Sequence, residues 1–207
     1  MLIVSGLAIA LSAAAAAPAS SVPTMAVSVV AASDISPRLI AAALRETDAI
    51  WRAAGIRFDW QFGTHPAPGA ALRVIIGGGS SPRGASALLP LGWIDFADQT
   101  LSTPQIYLSH ANAQLLMTES REIVGTVESM PKLQREVLLA RAMGRALAHE
   151  IGHFLSSSKE HTPRGLMTAI HTAAEFFGVE RTRFGITAAE QRRMVARFTS
   201  IYMAARD

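Results

Sequence analysis

Arg141-Ala142-Met143-Gly144-Arg145-Ala146-Leu147-Ala148-His149-Glu150-Ile151-Gly152-His153-Phe154-Leu155 holds the pattern H-E-x-x-H at His149 to His153. On a helix, residues four apart sit about 40° from each other around the axis and about 6 Å apart along it, so both imidazoles lean over one face and can share one zinc ion. Glu150 follows the first histidine at about 100°, which sets its carboxylate beside a metal-bound water and off the metal. That is the position of a general base. The neighbours supply the helix: Leu133, Val137, Ala140, Gly144, Leu147, Ile151 and Phe154 recur at steps of four and three as one apolar stripe. The histidines fall on the opposite face, with Leu138, Ala142 and Ala146. A helix apolar on most sides is expected to be buried, its histidines looking into a cleft.

H-E-x-x-H is short and also occurs in helices that bind nothing, so the flanks matter. Ser156, Ser157 and Ser158 end the helix just after the motif, His161 stands eight residues beyond His153, and Gly165-Leu166-Met167 follows. Together these resemble the metzincin clan of zinc peptidases, whose long motif carries a third histidine after a turn and then a methionine turn under the metal. The resemblance implies a Zn2+ cofactor held by His149, His153 and His161, with Glu150 as catalytic base and Met167 as the hydrophobic floor. It departs from H-E-x-x-H-x-x-G-x-x-H at two places: Ser156 stands for the glycine and Lys159 for the third histidine. A protonated ammonium does not ligate zinc, which makes His161 the nearest residue of suitable chemistry. Spacing also permits Glu175, 22 residues beyond His153, to supply a carboxylate from a second helix.

Of the 207 residues half are hydrophobic and only 17% are charged, enough for one domain with a full core. The net charge is +3 and the pI about 9.9, yet no run of Lys or Arg interleaves with aromatics, which argues against a nucleic-acid partner. With no cysteine the chain has no disulfide, no thiolate metal site and no thiol chemistry. Residues 1–19 read as a secretory signal peptide, apolar and then small, ending in Ala17-Pro18-Ala19 before Ser20. Export would place the protein outside the cell or in the periplasm. A membrane is implied only if that segment is retained as an anchor, for which its apolar run is short.

Past the leader, Met25–Ala31 suits a buried strand. Ser36-Pro37 opens a helix with Ile40, Leu44, Thr47, Trp51 and Ala54 inward and Gly55 at its end. Ile56–Phe62 alternates as a strand with one wet face, and Leu72–Ile76 fits a central strand. Gly77 to Pro82 lacks the G-K-[ST] ending of a phosphate loop. Leu88–Phe96 reads as an edge strand and Gln105–Leu108 as another, with a helix over 111–122 and Pro131 in the first turn of the histidine helix. Thr187-Ala188-Ala189-Glu190 is a capping box opening a last helix. The order predicts an α/β (α+β) domain over 20–207: a twisted, mostly parallel sheet packed on two helices, the zinc site on the second, then a C-terminal helical subdomain. In the metzincin clan the strand nearest the cleft is antiparallel to the others and pairs with extended substrate, and the resemblance gives that part to Leu88–Phe96.

Ser156 to Lys159 also fits S-x-x-K, without the S-D-N or K-T-G that accompanies a serine–lysine pair. His65 and His110 are single histidines expected in loops. The function implied is a zinc-dependent hydrolase acting on peptides or proteins. Its alternative is a non-catalytic envelope protein that keeps a peptidase-like fold.

Overall fold

The computed structural model describes residues 24–65, 69–77, 90–98 and 102–204. The expected signal segment and the glycine-rich run from Gly78 lie outside them. In chain order the elements are β1 (Thr24–Ala31), α1 (Pro37–Arg52), β2 (Arg57–Phe62), β3 (Leu72–Gly77), β4 (Gly92–Asp95), β5 (Gln105–Ser109), α2 (His110–Glu119), α3 (Arg121–Val124), α4 (Lys132–Ser156), α5 (Ala173–Phe177) and α6 (Ala188–Ala204).

The strands form one sheet in the order β2-β1-β3-β5-β4. Four run parallel, and β4 lies antiparallel on β5, pairing Gly92 with Leu108 and Ile94 with Ile106. The edge strand expected over 88–96 is thus realised in its second half, with Leu88 and Leu89 outside the described residues. Alternation along the strands sends Met25, Val27, Val29, Leu72, Val74, Ile76, Ile94, Ile106 and Leu108 into the core. Each such side chain contributes roughly 1.5–3 kcal/mol by leaving water. The helices α1 and α4 pack along each other, and α4 lies against β4 and β5.

Ile40, Leu44, Thr47, Trp51 and Ala54 are buried as their spacing predicts. Pro37 begins α1, but Ser36 makes no side-chain cap; the first helical bond runs from Ile40 N to the Ser36 carbonyl at 3.1 Å. After α1 the chain turns at Gly55, whose φ of +78° lies in the left-handed region that glycine enters without steric cost.

The apolar stripe of α4 is buried from Ala140 onward, whereas Leu133 and Val137 are 50% and 39% exposed. Periodicity there outruns the core, since these first turns of α4 stay partly in solvent. The helix expected over 111–122 is two, broken at Ser120, where the backbone φ of −95° and ψ of 27° leave the helical region. His110 opens α2 and is not a loop residue, while His65 is exposed. The capping box of α6 forms in both directions, with Thr187 N donating to Glu190 Oε2 and Glu190 N to Thr187 Oγ1. Buried Met194 and Phe198 seat α6 on the domain. No helix of the described residues is long and apolar enough to cross a membrane.

Candidate metal centre

His149 and His153 project from one face of α4, and His161 returns to meet them. One ring nitrogen from each lies within 4.8 Å of the others. The His149 ring is 4.6 Å from that of His153 and 5.3 Å from that of His161, with 4.9 Å between the last two. Glu175, the other ligand that spacing permits, lies outside this cluster. It closes a capping box with Thr172 at the start of α5 and faces His171 and Arg183.

The return path answers how the chain turns without the expected glycine. Ser157, beyond the end of α4, takes the left-handed conformation at φ +51°. For a residue with a Cβ that costs about 1–2 kcal/mol. Backbone bonds from Ser157 N to the Phe154 carbonyl and from Ser158 N to the His153 carbonyl close the helix end, and the Ser156 hydroxyl donates to the same His153 carbonyl. The Ser158 hydroxyl accepts from Glu160 N at 3.0 Å, turning the chain toward His161. The serines therefore hold the turn by hydrogen bonding where glycine would hold it by permissiveness.

Beyond His161 the chain folds back over the helix. Thr162 N donates to the Met167 carbonyl, and Leu166 N to that of Gly185, both at 2.8 Å. Gly165 has φ +87°, and a Cβ there would lie 2.6 Å from the Gly185 carbonyl, so glycine is required on both counts. Met167 is buried at 3% exposure with its sulfur directly against Gly152, where a Cβ would come within 2.2 Å of Sδ. The missing side chain at Gly152, the residue before His153, gives the thioether its seat.

Two backbone carbonyls fix the histidine tautomers. His149 Nδ1 is 2.8 Å from the Leu166 carbonyl, and His153 Nδ1 is 2.8 Å from that of Ser158. A carbonyl only accepts, so both Nδ1 atoms carry the proton and, in neutral rings, both Nε2 atoms are bare lone pairs. Those two Nε2 atoms face each other at 3.0 Å. Two lone pairs at that distance repel unless a cation lies between them. Burial and the neighbouring histidines oppose a proton there: desolvation pushes His149 down to about 4, against the Leu166 bond that raises it, and desolvation lowers His153 too. Three neutral imidazoles with their lone pairs turned together are a suitable donor set for a metal ion. Nitrogens about 2.0–2.1 Å from a tetrahedral zinc lie about 3.3 Å apart, so the pair needs to open by only a few tenths of an ångström.

Glu150 is 8% exposed and points between α4 and β4; a Cβ on Gly92 would lie 3.1 Å from Glu150 Cγ. Desolvation raises its pKa to about 7, and the Lys159 charge pulls the other way. A carboxylate poised near neutrality can both accept and release a proton.

Sequence reasoning did not identify the ionic cluster that anchors the second half of the domain. Arg145, one turn before His149 and 0% exposed, donates Nε to Glu46 Oε1 at 2.9 Å. Arg181 adds bonds of 3.0 and 2.6 Å to the two Glu46 oxygens. Arg145 also donates to the carbonyls of Glu175, Phe176 and Val179, and its guanidinium lies 5.0 Å over the Phe184 ring. Phe184 in turn stacks on His171 at 4.4 Å, and His171 Nε2 is 3.5 Å from the Leu166 carbonyl that holds His149. An arginine on the buried part of a helix was the available signal, since such a charge is kept only with partners.

The sheet and the three-histidine cluster together define an α/β domain with a site able to hold a metal ion. Among solved structures the chain is similar to archaemetzincin from Methanopyrus kandleri, with a TM-score of 0.54 at 11% identity over 86% of this chain and 97% of that one. A second similar structure is metalloproteinase-II from Bacteroides fragilis, with a TM-score of 0.46 at 12% identity over 87% of this chain and 54% of that one. No protein-family model matches the chain, and no curated protein sequence does.

Proposed function

We propose that the protein is a zinc-dependent peptidase in which His149, His153 and His161 hold the ion and Glu150 is the general base. The observation that supports this reading is the pair of bare Nε2 atoms facing each other at 3.0 Å, each oriented by a carbonyl on its other ring nitrogen. Zinc bound there would polarise the scissile carbonyl and acidify a water. Leu166 and Ser158 hold the two imidazoles in one tautomer. Met167 closes the site from below and excludes solvent.

Glu150 accepts the proton of the attacking water and delivers it to the leaving nitrogen. Its burial keeps the proton affinity high enough for the second step. The edge of β4 that pairs with no strand among the described residues, and whose first residue borders Glu150, offers main-chain donors and acceptors to an extended peptide. The proposal includes export, with residues 1–19 as a signal segment removed before Ser20, which N-terminal sequencing of exported protein tests.

Metal analysis of purified protein together with cleavage of a broad peptide library tests the proposal. About one equivalent of zinc and hydrolysis of internal peptide bonds are expected. Glu150→Gln should keep the zinc and lose activity by at least about 100-fold, because an amide cannot take the proton. Full activity in that variant would remove Glu150 from the mechanism, and zinc-loaded protein that cleaves no peptide would refute the peptidase reading.

A further inference from the structure

Lys159 stands between Ser158, whose carbonyl orients His153, and His161 two residues on. Its side chain is exposed and reaches Phe96, the residue that follows β4, Nζ lying 5.9 Å from the centroid of the Phe96 ring. None of the ion pairs among the described residues involves it. An ammonium beside the histidines that makes no ion pair among the described residues, and lies over an aromatic face, is free to receive an anion. The lysine charge is also felt at Glu150 and His153, both of whose pKa values it lowers.

Building on the peptidase reading, we propose that Lys159 is a specificity-determining residue that binds a carboxylate side chain of the substrate. The strand geometry says where that side chain belongs. Gly92 borders Glu150, and Phe96 follows four residues later, about 13 Å along an extended chain. A substrate pairing antiparallel with β4, the more stable arrangement, runs in the opposite direction. The residue facing Phe96 and Lys159 therefore precedes the residue facing Gly92. An Asp or Glu two to four positions on the N-terminal side of the scissile bond meets the ammonium, and the lysine position selects acidic segments.

A peptide library in which each position carries Glu, its isostere Gln, Lys or Arg tests this, with wild type, Lys159→Met and Lys159→Glu each loaded with zinc. The free C-terminal carboxylate forms a separate arm, as acid or amide. Wild type should prefer Glu over Gln by about 10-fold in kcat/KM at one of those N-terminal positions, the size of one hydrogen bond between charged groups. Lys159→Met keeps the stem and should erase that preference, and Lys159→Glu should turn it toward Lys or Arg.

Cleavage by wild type without charge preference, or a preference that survives in Lys159→Met, overturns the role of Lys159 and leaves the peptidase intact. A preference confined to the C-terminal side or to the free terminal carboxylate overturns the placement along β4. Failure of wild type to cleave any member overturns the peptidase reading and this inference with it.

Discussion

Adding one methyl group at Gly152 tests whether Met167 supports the histidine pair from below. On the present backbone an alanine Cβ would lie 2.2 Å from Met167 Sδ and 3.1 Å from its Cε. Ordinary contact is about 3.5–4.0 Å, so the sulfur must withdraw by roughly 1.5 Å. It has little room, since Met167 is 3% exposed and Leu166 beside it 0%. The thioether chain is flexible, which holds the overpacking penalty to about 1–3 kcal/mol. For a domain of this size that is a fall in Tm of roughly 2–12 °C. Movement of Met167 also pulls on the Leu166 carbonyl that orients His149, and loss of such a partner weakens metal binding by about 10- to 100-fold. Gly152→Ala, Met167→Ala and the double variant should be compared by thermal melting without metal and by zinc competition against a chromogenic chelator. The double variant should be less destabilised than the sum of the singles by at least about 0.5 kcal/mol, because the methyl then enters space that Met167 has left. Strict additivity, or unchanged zinc affinity in Gly152→Ala, would refute the seat assigned to Met167.

Glu46→Ala leaves the buried Arg145 without its carboxylate and should destabilise the protein by about 3 kcal/mol, the lower end of the range for a broken buried pair because three carbonyls still accept from the guanidinium. Urea unfolding measures this as a lower midpoint at constant slope, and a loss below about 1 kcal/mol would contradict it. Glu150 supplies a pH signature in metal-free protein. Its folded pKa of about 7 lies above the ordinary 4.5, so the folded state holds its proton more tightly, and stability is lost as pH rises from about 4.5 through about 7. Glu150→Gln should therefore exceed wild type in stability by about 3 kcal/mol at pH 8, with the gap closing below pH 4.5. Equal stability of the two at pH 8 would mean that Glu150 is not desolvated.

The parts of the fold legible in the sequence were those where local pattern and burial agree. Strict alternation marked β2, the valine run marked β1, and Thr187 with Glu190 marked the start of α6, because each signal is contained within a few residues. The histidine cluster was legible for the same reason: two members share a helix face, and the third follows a short turn. What escaped was long-range. Glu46 and Arg145 are 99 residues apart and Arg181 is 135 from Glu46, and nothing local to any of them announces the others. Leu133 and Val137 misled in the opposite sense, since a helical stripe gives direction around the axis but not how far along it the core extends. The pattern has a serine at 156 where the motif carries glycine, and the left-handed residue is its neighbour Ser157, in a turn that serine hydrogen bonds hold.

X-ray absorption of the zinc-loaded protein, with His161→Ala and Glu175→Ala beside it, addresses the three-histidine centre most directly. Wild type should show three imidazole nitrogens at about 2.0–2.1 Å and one oxygen ligand. Glu175→Ala should give the same spectrum, whereas His161→Ala should lose one imidazole and bind zinc at least about 10-fold more weakly. A wild-type spectrum with two imidazoles and a protein carboxylate, together with zinc lost from Glu175→Ala and kept by His161→Ala, would contradict the centre described for this fold.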